Sequence, residues 1–217
     1  MRAHLMRLFL AFCFASPLTA QSKPIAFADG ATVMAEYGAG TMNEIQGFYA
    51  PTYRYSIGGG HLALQSDIDS RTRDITYARF NYLPKRWNME AAQANVFVWG
   101  SVGRAHIGET GDNQLALNAG GQIDYETRRV YASLRSDYHT AEDFDHRIDT
   151  LQVGLAPYKH DYQTLAIWFV VQGRQYTGGI HDGVEWAGLI RFFKRNAWLE
   201  AGVTGEGKVQ AMLMFNF

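Results

Sequence analysis

The sequence of 217 residues has almost no cysteine, its one thiol being Cys13. We expect Cys13 to be removed with an N-terminal export signal, which would leave the mature chain without a thiol. This prediction excludes disulfide bonds, thiolate metal sites and cysteine nucleophiles from the mature protein.

Long hydrophobic runs are absent after residue 20. The longest is Leu165–Val171, which has seven residues, whereas a membrane-spanning helix needs about 20. A mature chain of this kind that crosses a membrane has to cross it as β-strands, whose backbone groups pair with neighbouring strands.

An excess of positive charge is also absent. The chain has 20 Lys and Arg against 21 Asp and Glu, a net charge of −1. Removing Arg2 and Arg7 with the signal leaves 18 against 21, or −3. This balance argues against nucleic acid as a partner.

The first 20 residues contain the three regions of a secretory signal. Arg2 and Arg7 precede an apolar run from Leu8 to Ala15, and small or turn-forming residues follow as far as Ala20. The pattern predicts a signal peptide over 1–20, cleaved near Ala20, and a single domain over 21–217. The apolar run is too short for a retained membrane anchor.

Alternation of apolar and polar residues with period two begins at Ala31. Its clearest stretch is 114–126, where Leu117 and Ile123 share one face while Asn118 and Asp124 share the other. One face suits lipid and the other suits water, as in the strands of a transmembrane β-barrel. The mean hydropathy of −0.21 fits this fold, because half of each such strand is polar or small.

Twelve strands are predicted from this alternation. They cover 31–37, 49–57, 61–67, 74–83, 89–102, 114–126, 128–138, 147–157, 162–174, 183–193, 197–204 and 208–217. The predicted fold is therefore all-β, a transmembrane antiparallel up-and-down β-barrel of about twelve strands, with ten or fourteen as alternatives.

The connections between these segments alternate between short and long, as they do in outer-membrane barrels with both termini in the periplasm. The short ones are 58–60, 84–88, 126–128, 157–161 and 194–196, and the long ones are 39–48, 66–73, 103–113, 139–146 and 175–183. Only 205–207 departs from the rule, because it is short on the side of the long loops.

Aromatic residues lie near the predicted short turns. They are Tyr82, Trp87, Tyr125, Tyr158, Tyr162, Phe192 and Trp198. This distribution is typical of the aromatic girdle at a membrane interface. A soluble β-sandwich that buries the same rings is the alternative.

The carboxyl end favours the barrel. Val209, Ala211, Leu213, Phe215 and Phe217 alternate with polar residues or methionines, and the last residue is aromatic. This ending resembles the terminal strand of outer-membrane β-barrel proteins of Gram-negative bacteria. The resemblance implies location in the outer membrane and an assembly signal, with Phe215 and Phe217 as its aromatic residues, that is read by the barrel-assembly machinery.

The predicted lumen is rich in charge. The residues placed inward are Arg54, Arg79, Asp124, Arg129, Arg135, Arg174, Glu185 and Arg191. One interpretation is a narrow channel in which arginines select small anionic or hydroxylated solutes. The other is a salt-bridge network that fills the lumen. The predicted function is a small passive, porin-like channel or a surface-presenting barrel, without enzymatic activity.

Two other functions stay open. A lipid-modifying enzyme needs a nucleophile beside a base, and the nearest arrangement is Ser136 with Asp137 and His139. A metal-capturing surface barrel could use the loop residues His139, Asp143, Asp145 and His146. The sequence indicates no cofactor. Besides small solutes and the assembly machinery, the expected partners are outer-membrane lipid and lipopolysaccharide.

Overall fold

The computed structural model describes residues 23–25, 28–108, 111, 113–161 and 163–217. It contains β1 (Gly30–Gly38), β2 (Met42–Thr52), β3 (Tyr55–Gln65), β4 (Thr72–Asn88), β5 (Ala92–Ile107), β6 (Gln114–Thr127), β7 (Val130–Thr140), β8 (Asp145–Leu155), β9 (Ala166–Tyr176), β10 (Val184–Lys194), β11 (Ala197–Thr204) and β12 (Val209–Asn216). The predicted signal peptide lies outside the described residues. No helix among the described residues is suited to crossing a membrane.

The twelve strands form one closed antiparallel barrel in which each strand pairs with its neighbours in the chain. The barrel closes where β1 pairs with β12, with Val33 opposite Phe215 and Tyr37 opposite Ala211. Closure leaves no sheet edge unpaired. The predicted fold and the strand count of twelve are confirmed.

Side chains alternate between the two faces of the wall as predicted. On β6, Leu117 and Ile123 are exposed on the outside, whereas Asn118 and Asp124 are buried inside. The alternation is equally regular on β10, where Ile190 faces outward and Arg191 inward. The exterior therefore presents a broad apolar surface, and polar side chains are confined to the interior over much of the wall.

The two ends of the barrel differ in their connections. Gly30 begins β1 and Asn216 ends β12 at the same end, called here the terminal end. The turns at this end are 53–54, 89–91, 128–129, 156–165 and 195–196, and those at the opposite loop end are 39–41, 66–71, 108–113, 141–144, 177–183 and 205–208. The predicted contrast holds for most connections, but 39–41 is a tight hairpin and 156–165 is long.

The predicted boundaries of the second and third strands are wrong. Residues 39–48 were predicted to form a loop and 58–60 a turn, yet β2 begins at Met42 and the three glycines 58–60 lie within β3. The glycines are required by close packing between strands. A Cβ on Gly58 would lie 1.9 Å from the Gly47 carbonyl oxygen, and one on Gly60 would lie 2.6 Å from that of Ile45.

The aromatic girdle is present at the terminal end, where Tyr82, Trp87, Tyr125 and Tyr158 are exposed on the exterior. The prediction that Trp198 belongs to the girdle is wrong, because its side chain points into the barrel and is 1% exposed. Tyr162 lies outside the described residues.

The interior has apolar clusters toward both ends. The cluster toward the terminal end includes Phe48, Tyr131, Trp168, Phe193 and Trp198. The cluster toward the loop end includes Met42, Leu64, Ile75, Ile148 and Ile180. Polar and charged side chains occupy the middle of the barrel between them.

Candidate functional site

Four arginines and four carboxylates meet in the middle of the barrel, and we call this set the arginine–carboxylate layer. Its members are Arg79, Arg135, Arg174 and Arg191 with Glu36, Glu44, Asp137 and Glu200. The strand alternation delivers them inward from seven strands, with Arg135 and Asp137 both on β7. Each arginine lies near at least one carboxylate, which a buried charge requires.

Arg135 and Asp137 form the tightest contact on one side of the layer. Arg135 Nε lies 2.6 Å from Asp137 Oδ2, and Trp99 Nε1 donates a 2.6 Å hydrogen bond to Asp137 Oδ1. Glu44 lies nearby, 3.9 Å from Arg135 Nη2, and accepts a 2.5 Å hydrogen bond from the Tyr77 hydroxyl. These two carboxylates are thus fixed by aromatic donors as well as by arginines.

Arg79 is held more loosely than Arg135. Its Nη2 lies 3.9 Å from both Glu44 and Asp137, and its Nε and Nη2 are buried without a hydrogen-bond partner. The guanidinium lies over the Tyr77 ring, 4.6 Å from the ring centroid. At 3.9 Å these ion pairs lack a direct hydrogen bond, and among the described residues the guanidinium donates one only from Nη1, 3.3 Å to Gln46 Oε1.

Arg174 and Arg191 form the opposite side of the layer. Arg174 Nη2 contacts Glu36 Oε1, and Arg191 Nε lies 2.6 Å from Glu200 Oε2. Arg191 also lies between two rings, 4.6 Å from the centroid of Tyr131 and 4.4 Å from that of Trp198. Rings on both sides stabilise the cation through their π electrons.

The space left between these side chains is small. A cavity of about 60 Å³ lies among Glu36, Arg135, Arg174, Gln152 and Glu200, and a second of about 20 Å³ lies beside Glu44, Asp137 and His139. Since one water needs roughly 10–15 Å³ of such volume, the first cavity has room for a few waters. The middle of the barrel is therefore a constriction whose centre has room for a few waters.

The loop end is covered by the connection 177–183. Ile180 is 1% exposed and packs in the loop-end cluster. The Asp67 amide donates a 2.8 Å hydrogen bond to the Ile180 carbonyl, and the Ser66 hydroxyl donates one of the same length to the Gly179 carbonyl. Asp67 Oδ2 also lies 2.9 Å from His181 Nδ1 and 3.2 Å from Lys208 Nζ.

Six of the eight predicted lumen residues lie inside the barrel. They are Arg79, Asp124, Arg135, Arg174, Glu185 and Arg191. Asp124 accepts a 2.6 Å hydrogen bond from Asn95, and Glu185 accepts one of 2.7 Å from Gln210. The prediction for Arg54 and Arg129 is wrong, because both lie exposed in turns, beyond strands that end at Thr52 and Thr127.

The four predicted metal ligands are not brought together. His139 and His146 are cross-strand partners inside the barrel, with ring centroids 4.8 Å apart. Asp143 lies in the exposed turn 141–144 beside Gln114, and Asp145 faces outward. The proposed metal set is therefore wrong. Within the described ranges, no group of three or more histidines, cysteines or acidic residues is placed to hold a metal ion.

The catalytic arrangement is not formed either. Asp137 and His139 face the lumen, whereas Ser136, which precedes Asp137, faces outward and pairs across the strands with Asp149. Successive residues of a strand point to opposite faces, so this serine cannot meet this histidine.

Sequence reasoning missed Glu44, Tyr77 and Lys23 as interior polar contacts. Glu44 was missed because 39–48 was predicted to be a loop. The polar Glu44 next to the apolar Ile45 nevertheless follows the alternation expected of a strand. Tyr77 lies two residues before Arg79, which was predicted to face inward, so the alternation of the strand could have placed Tyr77 on the same inner face. Nothing in the sequence places Lys23 inside the barrel.

Comparisons with known proteins bear on the fold. Neither a protein-family model nor a curated protein matches the sequence. Among solved structures, the chain is similar to a KdgM porin in complex with disordered oligogalacturonate, with a TM-score of 0.50, 9% identity, and coverage of 87% of this chain and 98% of that one. A second KdgM porin structure matches with a TM-score of 0.44, the same identity and the same coverage.

The first of these similarities shows the fold and, at 9% identity, nothing finer. The protein belongs by architecture to the closed twelve-stranded antiparallel barrels. Its fold is similar to that of the KdgM porin.

Proposed function

We propose that this protein is a porin-like barrel of the Gram-negative outer membrane that passes small solutes, with the arginine–carboxylate layer as its selectivity element. The observation that carries the proposal is the layer itself: four arginines are held on the inner wall of a twelve-stranded barrel. Fixed charges along a narrow pore determine which ions enter it.

The exterior supports location in a membrane. Leu117, Ile123, Leu134, Phe169 and Ile190 are among many large apolar side chains exposed on the outer wall. An apolar surface that encircles a soluble protein would drive association, whereas in a bilayer it contacts lipid. Outer-membrane lipid and lipopolysaccharide are therefore the proposed neighbours of this wall, and the signal peptide and the Phe215–Phe217 ending belong to the same proposal.

The interior supports passage of small anions rather than of large solutes. Arg135 and Arg174 line a cavity of about 60 Å³, the larger of the two described in the layer. A small carboxylate that enters this cavity could form charge-assisted hydrogen bonds with the two guanidinium groups. The balancing acids keep such binding weak enough for release.

Flux into proteoliposomes tests this proposal. We expect swelling in a two- or three-carbon carboxylate to be faster than in a neutral solute of the same size, and no swelling in a trisaccharide. A fully folded barrel that admits none of these solutes would overturn the proposal.

That outcome would favour a second candidate, a closed barrel that presents its loops at the cell surface. The specific observation in its favour is that apolar clusters fill the lumen toward both ends.

A further inference from the structure

A short piece of the chain that precedes the barrel lies inside the lumen. Lys23 and Ile25 are 6% and 1% exposed, although neither belongs to a strand. Their contacts are with β2 to β6, near the ends of these strands that adjoin the terminal end. The segment Lys23–Ile25 therefore occupies the terminal mouth of the barrel.

The lysine is bound by polar groups of the wall. Its Nζ lies 2.5 Å from Glu126 Oε1 and 3.0 Å from Gln93 Oε1. Both partners are buried, and Glu126 is only 2% exposed. A buried ammonium is stable only with such partners, so the mouth provides a site that recognises a cationic amine, and the chain's own Lys23 fills it.

The next two residues are recognised separately. The Pro24 carbonyl accepts a 2.8 Å hydrogen bond from the Ser56 hydroxyl, which is fully buried. Ile25 packs in an apolar cluster with Leu83, Phe97 and Trp99. One cation, one backbone carbonyl and one apolar side chain are thus each matched by a complementary group of the wall.

We infer that Lys23–Ile25 is an intramolecular plug that binds the terminal mouth like a ligand and controls access to the lumen from that side. Trp99 connects the plug to the arginine–carboxylate layer, because it touches the Ile25 cluster and donates to Asp137. Departure of the plug would leave a mouth lined by Glu126, Asp124 and Gln93. For its effect on flux the inference rests on the proposed function, but its seating can be measured independently.

Thiol labelling at position 56 measures the seating directly. In a Cys13→Ser background, Ser56→Cys supplies the only thiol, and the plug covers it. We compare its reaction with a charged, water-soluble thiol reagent in the otherwise unchanged barrel and in Lys23→Gln/Ile25→Ser. Lys85→Gln/Ile68→Ser is the matched control, since it makes the same chemical changes at exposed positions. Glu90→Cys, exposed in a terminal-end turn, reports the reactivity of an open thiol.

The plug predicts slow labelling at position 56 in the unchanged and control barrels, and a rise of about tenfold or more in Lys23→Gln/Ile25→Ser, because local opening governs access to a buried group. Labelling at position 56 as fast as at position 90 in the unchanged barrel would overturn the plug, as would equally slow labelling in all three. Conductance is then measured on the same proteins. Faster labelling with no conductance in any of them would keep the plug and defeat the proposed channel.

Discussion

Arg191 and Glu200 face each other across β10 and β11 and form an ion pair inside the barrel, with Arg191 Nε 2.6 Å from Glu200 Oε2. Tyr131 and Trp198 cover the two sides of the guanidinium. Arg191 is 1% exposed and Glu200 is 5% exposed. The pair thus combines opposite charge, planar hydrogen bonding and two aromatic contacts at one point of the wall.

Breaking this pair from one side should be costly. Arg191→Met leaves Glu200 buried without its cation, and we expect a loss of about 3–5 kcal/mol in the free energy of unfolding. Adding Glu200→Gln removes the stranded charge and should recover much of the loss. Urea titrations in lipid vesicles measure both variants, and equal stability of Arg191→Met and the native protein would show that the pair contributes nothing.

The outer wall predicts a dependence on depth. Ile190 and Val184 are both apolar, outward-facing residues of β10, but Ile190 lies within the strand and Val184 begins it at the loop end. Ile190→Arg should cost about 2–4 kcal/mol and Val184→Arg about 0–1 kcal/mol, because a cation is least tolerated at the bilayer centre. Folding yields in vesicles compare the two. Equal yields would mean that the apolar belt is not centred where we place it.

The barrel and its facing could be predicted because period-two alternation is a local property of each strand. Arg135, Arg174 and Arg191 were placed inward from alternation alone, and the structure has them inside. The alternation fails at strand ends, where a turn frees the chain from the pleat. For that reason Arg54 and Arg129 were placed inward and are exposed.

Other features depend on contacts between distant residues. Three consecutive glycines are typical of a turn. Here they lie in a strand, where the nearby carbonyls of Gly47 and Ile45 leave no room for a side chain on Gly58 or Gly60. Predicting 39–48 as a loop rather than as part of β2 hid Glu44, a member of the arginine–carboxylate layer. Lys23 meets Glu126 across 103 residues, and no periodicity links them.

The loop contact at Asp67 predicts a response to acid. Burial opposes ionisation of Asp67, but the hydrogen bonds from His181 and Lys208 outweigh it and lower the pKa of the carboxyl group below its ordinary value. A lowered pKa means that the contact is fully formed above the ordinary value and is lost as pH falls through the lowered one. The loop 177–183 should therefore stay closed near neutral pH and loosen only in strong acid.

Hydrogen exchange within 177–183 checks this response. Asp67→Asn removes the charge, so the protection of these amides at neutral pH, corrected for intrinsic exchange, should fall toward the acid value of the native protein and lose its dependence on pH in the acid range. Lys194→Gln, exposed at the opposite end, is the control. Exchange in Asp67→Asn that matches the native protein at every pH would contradict the role given to this carboxylate.

The last residue predicts an assembly defect. The Phe217 amide donates a 2.9 Å hydrogen bond to the Ala31 carbonyl, and the Ala31 amide donates one of 3.2 Å to the Phe217 carbonyl. Both bonds lie next to the strand pair that closes the barrel. Deleting Phe217 should leave export unchanged, because the N-terminal signal acts earlier, while reducing the heat-modifiable fraction in the outer membrane. Deletion of the exposed Glu206 in the turn 205–208 is the control for a general effect of removing one residue. Normal outer-membrane levels of the protein without Phe217 would show that its aromatic ending is not an assembly signal.

The reversal potential in a salt gradient shows whether arginines of the lumen select the permeating ion. Arg79, Arg135 and Arg174 are changed together to glutamine and compared with the same change at Arg71, Arg147 and Arg195, which are exposed outside the lumen. Heat-modifiability first establishes that each barrel is folded. We expect the reversal potential of the lumen variant to shift toward cation selectivity relative to the native and control proteins, because fixed wall charge determines ion preference. A folded lumen variant with the same reversal potential as the native protein would contradict the account.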